Sequence, residues 1–317
     1  MARPTLLDMA KQRADDGVVD LLDEAMIDAP ELRYITGMPI SGSSFKSLVR
    51  TKLPKVGFSN ANNGVDPGMS QYKLQQFECF PITPRFEVHD VVAVEHPKGL
   101  AGALADESVA MTSAVMQHFA RCLWYGLAYD PNGFLGMLDL IPDRNVVDAG
   151  GTGDAQQTDV FLFRVSEQDT QFVYGHNGLI KLGDPREETL TGANGKPMNG
   201  WVQTMMAHIG LMFRTPRTMV RIKGVSLAHP VTDALIGKAM TIFPAGRGPS
   251  GIWLNRIAME SLVQSRTTEL LPRPAMPSDW NGTPFRLTEA IVTGAAGTIP
   301  SQDDELDLSF KNSVVAE

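Results

Sequence analysis

The residue types that carry chemistry are present in this 317-residue chain, but their spacing does not assemble them into a recognisable site. Gly150-Gly151-Thr152-Gly153 resembles a phosphate-cradling turn. It lacks the Lys-Ser/Thr that such loops place on the phosphates, and no helix signal follows to supply an N-terminus, so a plain turn is the simpler reading. The six histidines (89, 96, 118, 176, 208 and 229) show no HxxxH, HxH or HxxEH spacing of a metal site. Cys79 and Cys122 fall in different expected elements and read as two reduced, buried thiols. No Gly-x-Ser-x-Gly nucleophile turn is present. Asp15-Asp16 and Asp303-Asp304-Glu305 lie in terminal segments, where a solvated acidic face explains them better than acid–base work. The Asn281-Gly282-Thr283 sequon means nothing without a secretory signal. The expectation is no enzyme, no cofactor and no metal. A hydrolase or nucleotide-binding enzyme using the turn near Gly151 is the competing class, and loss of nucleotide binding on Gly151→Val would be its mark.

One charge pattern does stand out. Residues 1–30 hold seven acidic and three basic groups, whereas residues 41–60 hold Lys46, Arg50, Lys52 and Lys55 with no acid. The bland reading is two solvated faces. The functional reading is an acidic arm and a basic segment that meet between copies of the chain, where complementary charge fixes register more than affinity. Arg50, Lys52, Lys55 and Lys73 are the candidate interface residues on that reading.

Composition agrees with a structural or binding role. Hydrophobic content of 43% supports a sizeable core, and 29 Gly with 21 Pro argue for many turns and against an all-helical bundle. A formal net charge of −8 disfavours a protein whose main task is gripping phosphates. The start MARPTLLDMAKQRADDG has no apolar run of a signal peptide, and Val109–Tyr129 is too polar to span a bilayer, so a soluble protein of a reducing cytoplasm is expected.

The elements that must position these residues are of both kinds, so the class is α+β. Residues 1–33 read as an acidic arm with two short amphipathic helical pieces. Strands are expected at Phe45–Leu53, Gln71–Phe80 and Arg85–Val94. A long Gly/Asn/Pro-rich tip, Pro54–Ser70, separates the first two. Such a hairpin carries too few large apolar residues to stand alone and needs a partner surface. The spacing of Leu104, Met111, Val115, Phe119, Leu123 and Leu127 predicts a long helix over Leu100–Tyr129, stopped by Asp130-Pro131-Asn132-Gly133. A hairpin is expected from Val160–Val165 and Gln171–Gly175, then strands over Trp201–Val225 broken at Thr215-Pro216. A helix capped by Thr232 follows, then a buried Ile252–Leu254 strand, a helix capped by Asn255, a Pro-rich link, and a last strand at Phe285–Val292. The final twenty residues form an acidic tail.

Three stretches carry a family resemblance: LLDMAKQRADDGVVDLLDEAMIDAPELRYITGMPISGSSFKSLVRTKLPKVGFSNANNGV, GLIKLGDPREETLTGANGKPMNGW, and IWLNRIAMESLVQSRT followed by WNGTPFRLTEAIV. The chain is similar over about residues 5–295 to tailed-bacteriophage major capsid proteins of the Hong Kong 97 fold, in the branch of phage epsilon 15. The resemblance implies an N-terminal arm at 1–37 and an extended loop hairpin at 38–84. It implies a peripheral domain with a spine helix at 85–133 and 281–300, an axial domain at 134–280, and an acidic C-terminal tail at 301–317. It also implies self-assembly into pentamers and hexamers of an icosahedral head shell around double-stranded DNA, without sequence-specific binding or a membrane. Expected partners are the portal protein and possible scaffold or decoration proteins. The expected location is the virion, assembled in the host bacterial cytoplasm. An encapsulin-like protein compartment on the same fold is the alternative.

Overall fold

The computed structural model describes residues 29–60, 64, 66–192, 194–266, 276–295 and 298–300. Most of the expected arm, part of the hairpin tip, most of the Pro-rich link and the acidic tail lie outside these residues.

The described chain opens with a short helix α1 (Pro30–Tyr34), started by Pro30 in its first turn, and a strand β1 (Gly37–Pro39). The hairpin follows as β2 (Ser44–Lys52) and β3 (Gln71–Glu78), within a residue or two of expectation. Then come β4 (Phe80–Ile82), β5 (Arg85–His89), α2 (Asp90–Val94), α3 (Gly99–Tyr125) and α4 (Met137–Leu140). The rest holds β6 (Val146–Asp148), β7 (Thr158–Phe163), β8 (Thr170–Tyr174), β9 (Lys181–Leu182), β10 (Arg186–Thr191), β11 (Pro197–Phe213) and β12 (Met219–Val225). It ends with α5 (Asp233–Ile242), β13 (Gly251–Leu254), α6 (Arg256–Arg266), β14 (Asp279–Trp280) and β15 (Thr283–Leu287).

Three sheets result. The 17-residue β11 is the spine of a seven-stranded sheet, pairing along its length with β10, β5, β9, β4 and β8, while β1 adds to β8 in parallel. A six-stranded sheet runs β14-β15-β13-β7-β12-β6. The β2–β3 hairpin is a sheet of two strands by itself.

Period-two alternation sets the core. On β7, Phe161 and Phe163 face a cluster formed with Phe119, Leu123 and Trp124 of α3, whereas Val160 and Leu162 face the opposite cluster with Ile236 of α5 and Leu262 of α6. The six-stranded sheet is therefore covered on both faces. Trp253 stacks on Phe163 at 5.8 Å between centroids, and Trp124 lies 5.0 Å from Phe161. Such aromatic pairs add about 0.5–1.5 kcal/mol each beyond their buried area.

Helix α3 has 27 residues, about 40 Å at 1.5 Å per residue. It stops four residues before the expected end. Gly126 terminates it with φ +54°, and a Cβ there would collide with the backbone of Gly136. The stop is thus a glycine–glycine contact inside the apolar periodicity, upstream of Asp130-Pro131. Leu127, expected on the buried stripe, lies past the helix and is exposed.

Three strand expectations change. The run Arg85–Val94 becomes helical after His89, whose Nδ1 accepts the Val91 N–H (3.2 Å) and so caps α2. Val160–Val165 and Gln171–Gly175 do not pair as a hairpin: β7 belongs to the six-stranded sheet and β8 to the seven-stranded one. The buried Asp169 holds this crossover, its carboxylate accepting from Ser166 Oγ (2.7 Å) and Thr218 Oγ1 (3.2 Å) and pairing with Arg164 (3.1 Å). The last strand ends at Leu287, parallel to β13, and the chain then crosses to α3, where the Val292 N–H donates to the Tyr125 hydroxyl (2.9 Å).

The helix caps stand as read. Thr232 Oγ1 accepts the Leu235 N–H (3.2 Å), and Asn255 Oδ1 accepts the Ala258 N–H (2.9 Å).

Candidate functional site

Among the described residues, the glycine turn, both cysteines and His118 make contacts within the fold. The glycine turn closes on Asp154, which accepts from the Ser226 hydroxyl and pairs with His229 (3.0 Å); these bonds, Ser226 first, hold its carboxyl below the usual range. A Cβ on Gly151 would meet Gly224 O at 2.5 Å, so that glycine is required by close backbone approach. Both cysteines are buried, and burial with the nearby Asp130 pushes the Cys122 thiol up to about 12. His118, Cys122 and Asp130 do gather at the end of α3, with their ligand atoms within 4.8 Å of one another. The His118–Asp130 pair (3.0 Å) accounts for that contact as a tie between the helix and the turn after it. The first two residues sit four apart on one helix face, a spacing visible in the sequence but unread there.

The hairpin is exposed over most of its length. Its register pairs Lys46 with Gln76, Leu48 with Leu74, and Arg50 with Tyr72 on one face. That face is open: Leu48 is 63% exposed and Leu74 57%. The other face carries Phe45, Ser47, Val49, Lys73, Gln75 and Phe77, of which Ser47 and Phe77 are buried at the base, where Phe77 meets Phe213 at 5.7 Å. Beyond Lys52, Leu53, Val56, Phe58 and Met69 are exposed. An apolar surface of this kind on a two-stranded unit marks a contact site.

The four candidate residues share the hairpin but not one environment. Arg50 donates to the Tyr72 hydroxyl (3.0 Å) across the strands, drawing that phenol below its ordinary range. Its guanidinium lies 5.3 Å from the Tyr72 ring centre. Lys52 follows a bulge at Thr51, where Thr51 Oγ1 donates to Gln71 O (3.2 Å). Lys55 lies in the tip, its backbone against Gly68, and Lys73 faces Val49 on the inner side. All four are exposed.

Arg50 alone of the four also lines a cleft of about 980 Å³ between the hairpin and the body, opposite Arg144, Arg214, Arg217 and Arg247. Sequence reading missed these arginines, which lie far apart in the chain and meet only through the fold.

The comparisons follow from this architecture. A family model described as major capsid protein GP7 matches residues 18–245. No curated protein matches the chain in sequence. A chain from the near-atomic structure of bacteriophage Epsilon15 superposes with a TM-score of 0.67 at 18% identity, covering 93% of this chain and 98% of that one. The bacteriophage JBD30 capsid gives 0.47 at 13% identity over 88% and 94%. The SrpI encapsulin of Synechococcus elongatus PCC 7942 gives 0.47 at 9% over 71% and 96%. With the family model spanning most of its length and the fold shared with Epsilon15, the chain belongs to the major capsid protein GP7 family and has the Hong Kong 97-like capsid fold.

Proposed function

We propose that this capsid protein self-assembles into pentamers and hexamers that close an icosahedral head around double-stranded DNA, with the β2–β3 hairpin laid on a neighbouring copy. The observation that carries the proposal is the hairpin itself: two strands, open on one face and anchored only at the base, with Leu48, Leu74 and the apolar tip in solvent. Burying a Leu or Phe side chain against a neighbour is worth about 1.5–3 kcal/mol, so a few such residues per subunit, repeated around a shell, are enough to drive closure. Arg50, Lys52, Lys55 and Lys73 supply charge that selects the register of the contact.

The division expected from the resemblance fits this role. The hairpin within the extended loop at 38–84 stands off the body, and the described end of the arm at 1–37 packs on it through α1 and β1. Helix α3 serves as the spine of a peripheral domain, and the body at 134–280 forms the axial domain. The portal protein and the enclosed genome are the further partners of the head in the virion, with any scaffold or decoration protein acting during or after its assembly.

Negative-stain electron microscopy of the chain expressed with its phage neighbours tests the proposal. Closed particles are expected, and monomers alone in images and in sedimentation would overturn it. Lys52→Glu with Lys55→Glu is expected to lower particle yield while the subunit melts at the same temperature. Normal particles from that variant would remove the charge component.

A further inference from the structure

His118 and Cys122 lie one turn apart on α3, and Asp130 stands in the turn that follows, with donor atoms of all three within 4.8 Å of one another. The His118–Asp130 contact (3.0 Å) accounts for two of the three. It does not account for Cys122. That thiol is 4% exposed and has no hydrogen-bond partner among the described residues, whereas Cys79 donates to Val173 O (3.5 Å). A thiol, an imidazole and a carboxylate gathered at one point are donors suited to a borderline-soft divalent cation. Two donors four apart on one helix face are a known way of presenting part of such a set.

We propose that His118, Cys122 and Asp130 form a binding site for Zn²⁺. A tetrahedral Zn²⁺ lies about 2.3 Å from sulfur and about 2.0–2.2 Å from nitrogen and oxygen, which places its donors roughly 3.3–3.6 Å apart. His118 Nε2 and Asp130 Oδ2, at 3.0 Å, open slightly to admit the ion. The sulfur closes by at most roughly 1.2 Å, within reach of a side-chain rotation. Asp130 is already aimed. Its Oδ1 accepts the Asn132 N–H (2.9 Å) and its carbonyl accepts the Gly133 N–H (3.1 Å), which leaves Oδ2 toward His118.

Charge and access agree with this. Coordination sends the Cys122 proton to water, and the thiolate together with the Asp130 carboxylate neutralises the divalent ion, so the occupied site carries no net charge. Without the ion, burial and the nearby Asp130 push the thiol up to about 12 and keep it protonated. The C-terminal end of α3 also favours a cation. The ion enters from a cleft of about 470 Å³ between α3 and the link at 81–84, whose wall includes His118, Tyr129 and Asp130 but not Cys122. The sulfur thus lies behind the ion, and the fourth position faces the cleft, where water completes it. Arg121, the one Lys or Arg among the described residues of that wall, donates to the Tyr129 hydroxyl. Bound there, the ion staples the end of the long helix to the turn at 130–133.

Metal analysis and cobalt spectra of the full chain test this. The protein is stripped with a chelator, given Zn²⁺ and dialysed, and one zinc per chain is expected to remain. Co²⁺ in place of Zn²⁺ should give the intense near-ultraviolet band of a thiolate–cobalt bond. Cys122→Ser should abolish that band and lower zinc affinity at least about tenfold, whereas Cys79→Ser should leave both unchanged. Zinc should raise the melting temperature of the unsubstituted chain and leave that of Cys122→Ser where it was. Asp130→Asn, which keeps the Oδ1 bond of the turn, is the second variant should Cys122→Ser disturb folding, and it should weaken zinc binding by a similar factor. A chain that retains no zinc, or a cobalt band that survives Cys122→Ser, overturns the inference. Zinc retained equally by the unsubstituted chain and both site variants would mean adventitious surface binding and overturns it as well.

Discussion

The β2–β3 hairpin and strand β7 use similar residues for opposite ends. Both SFKSLVRTK and TDVFLF carry apolar and β-branched side chains along an extended backbone. β7 has a strand on each side and an apolar cluster on each face, so nearly every side chain it carries is buried. β2 has one strand beside it, and Leu48 set against Leu74 on its more open face is more than half exposed. Strand propensity is common to both, but stability comes from what covers the strand. The body stabilises itself, whereas the hairpin holds surface in reserve for another copy.

The largest way to break this contrast is inside the body. Trp124→Ala removes a fully buried ring that touches Phe161, Phe163 and Trp253 and takes one donor from the buried Glu31 carboxylate. A loss of about 3–5 kcal/mol is expected in denaturant melts of the subunit, since the cavity cannot collapse within a close-packed cluster. Gly126→Ala comes next. It places a Cβ at φ +54° and onto the backbone of Gly136, at a cost of about 1–3 kcal/mol. Asn255→Ala removes the α6 cap and leaves Ile291 O without its donor, about 1–2 kcal/mol. If any of these melts like the unsubstituted chain, the body is less cooperative than its packing implies.

These same residues show what can be read without a structure. Asn255 and Thr232 were legible as caps because a cap is settled within four residues. The helix α3 was legible from its periodicity, but its end was not, because Gly126 stops it through contact with Gly136, ten residues on. The apparent hairpin around Asp169 misled for a related reason. The local turn is real, yet β7 pairs with β12 and β13, which lie more than 50 residues further along the chain, and β8 pairs with β11, whose partner residues run from Ile209 to Phe213. The basic character of residues 41–60 was plain, but the cleft was not. Of its five arginines only Arg50 lies in that segment; the others arrive from the turns before β6, between β11 and β12, and before β13.

The smallest expected effect on the subunit is the most informative about the hairpin. Leu48→Ala with Leu74→Ala deletes two large apolar side chains, a change that inside β7 would cost several kcal/mol. On the hairpin both are more than half exposed, so the melt of the isolated subunit should move by less than about 0.5 kcal/mol. The paired strands keep their backbone ladder, and Phe77 against Phe213 still anchors the base. Assembly responds differently. Particle yield by sedimentation should fall steeply, because the same two side chains are what a neighbour would cover. A melt lowered by several kcal/mol would mean that the pair already packs on its own body in solution. An unchanged melt with unchanged particles would mean that the open face of the hairpin is not the contact face, and would move the interface to the tip residues Val56, Phe58 and Met69.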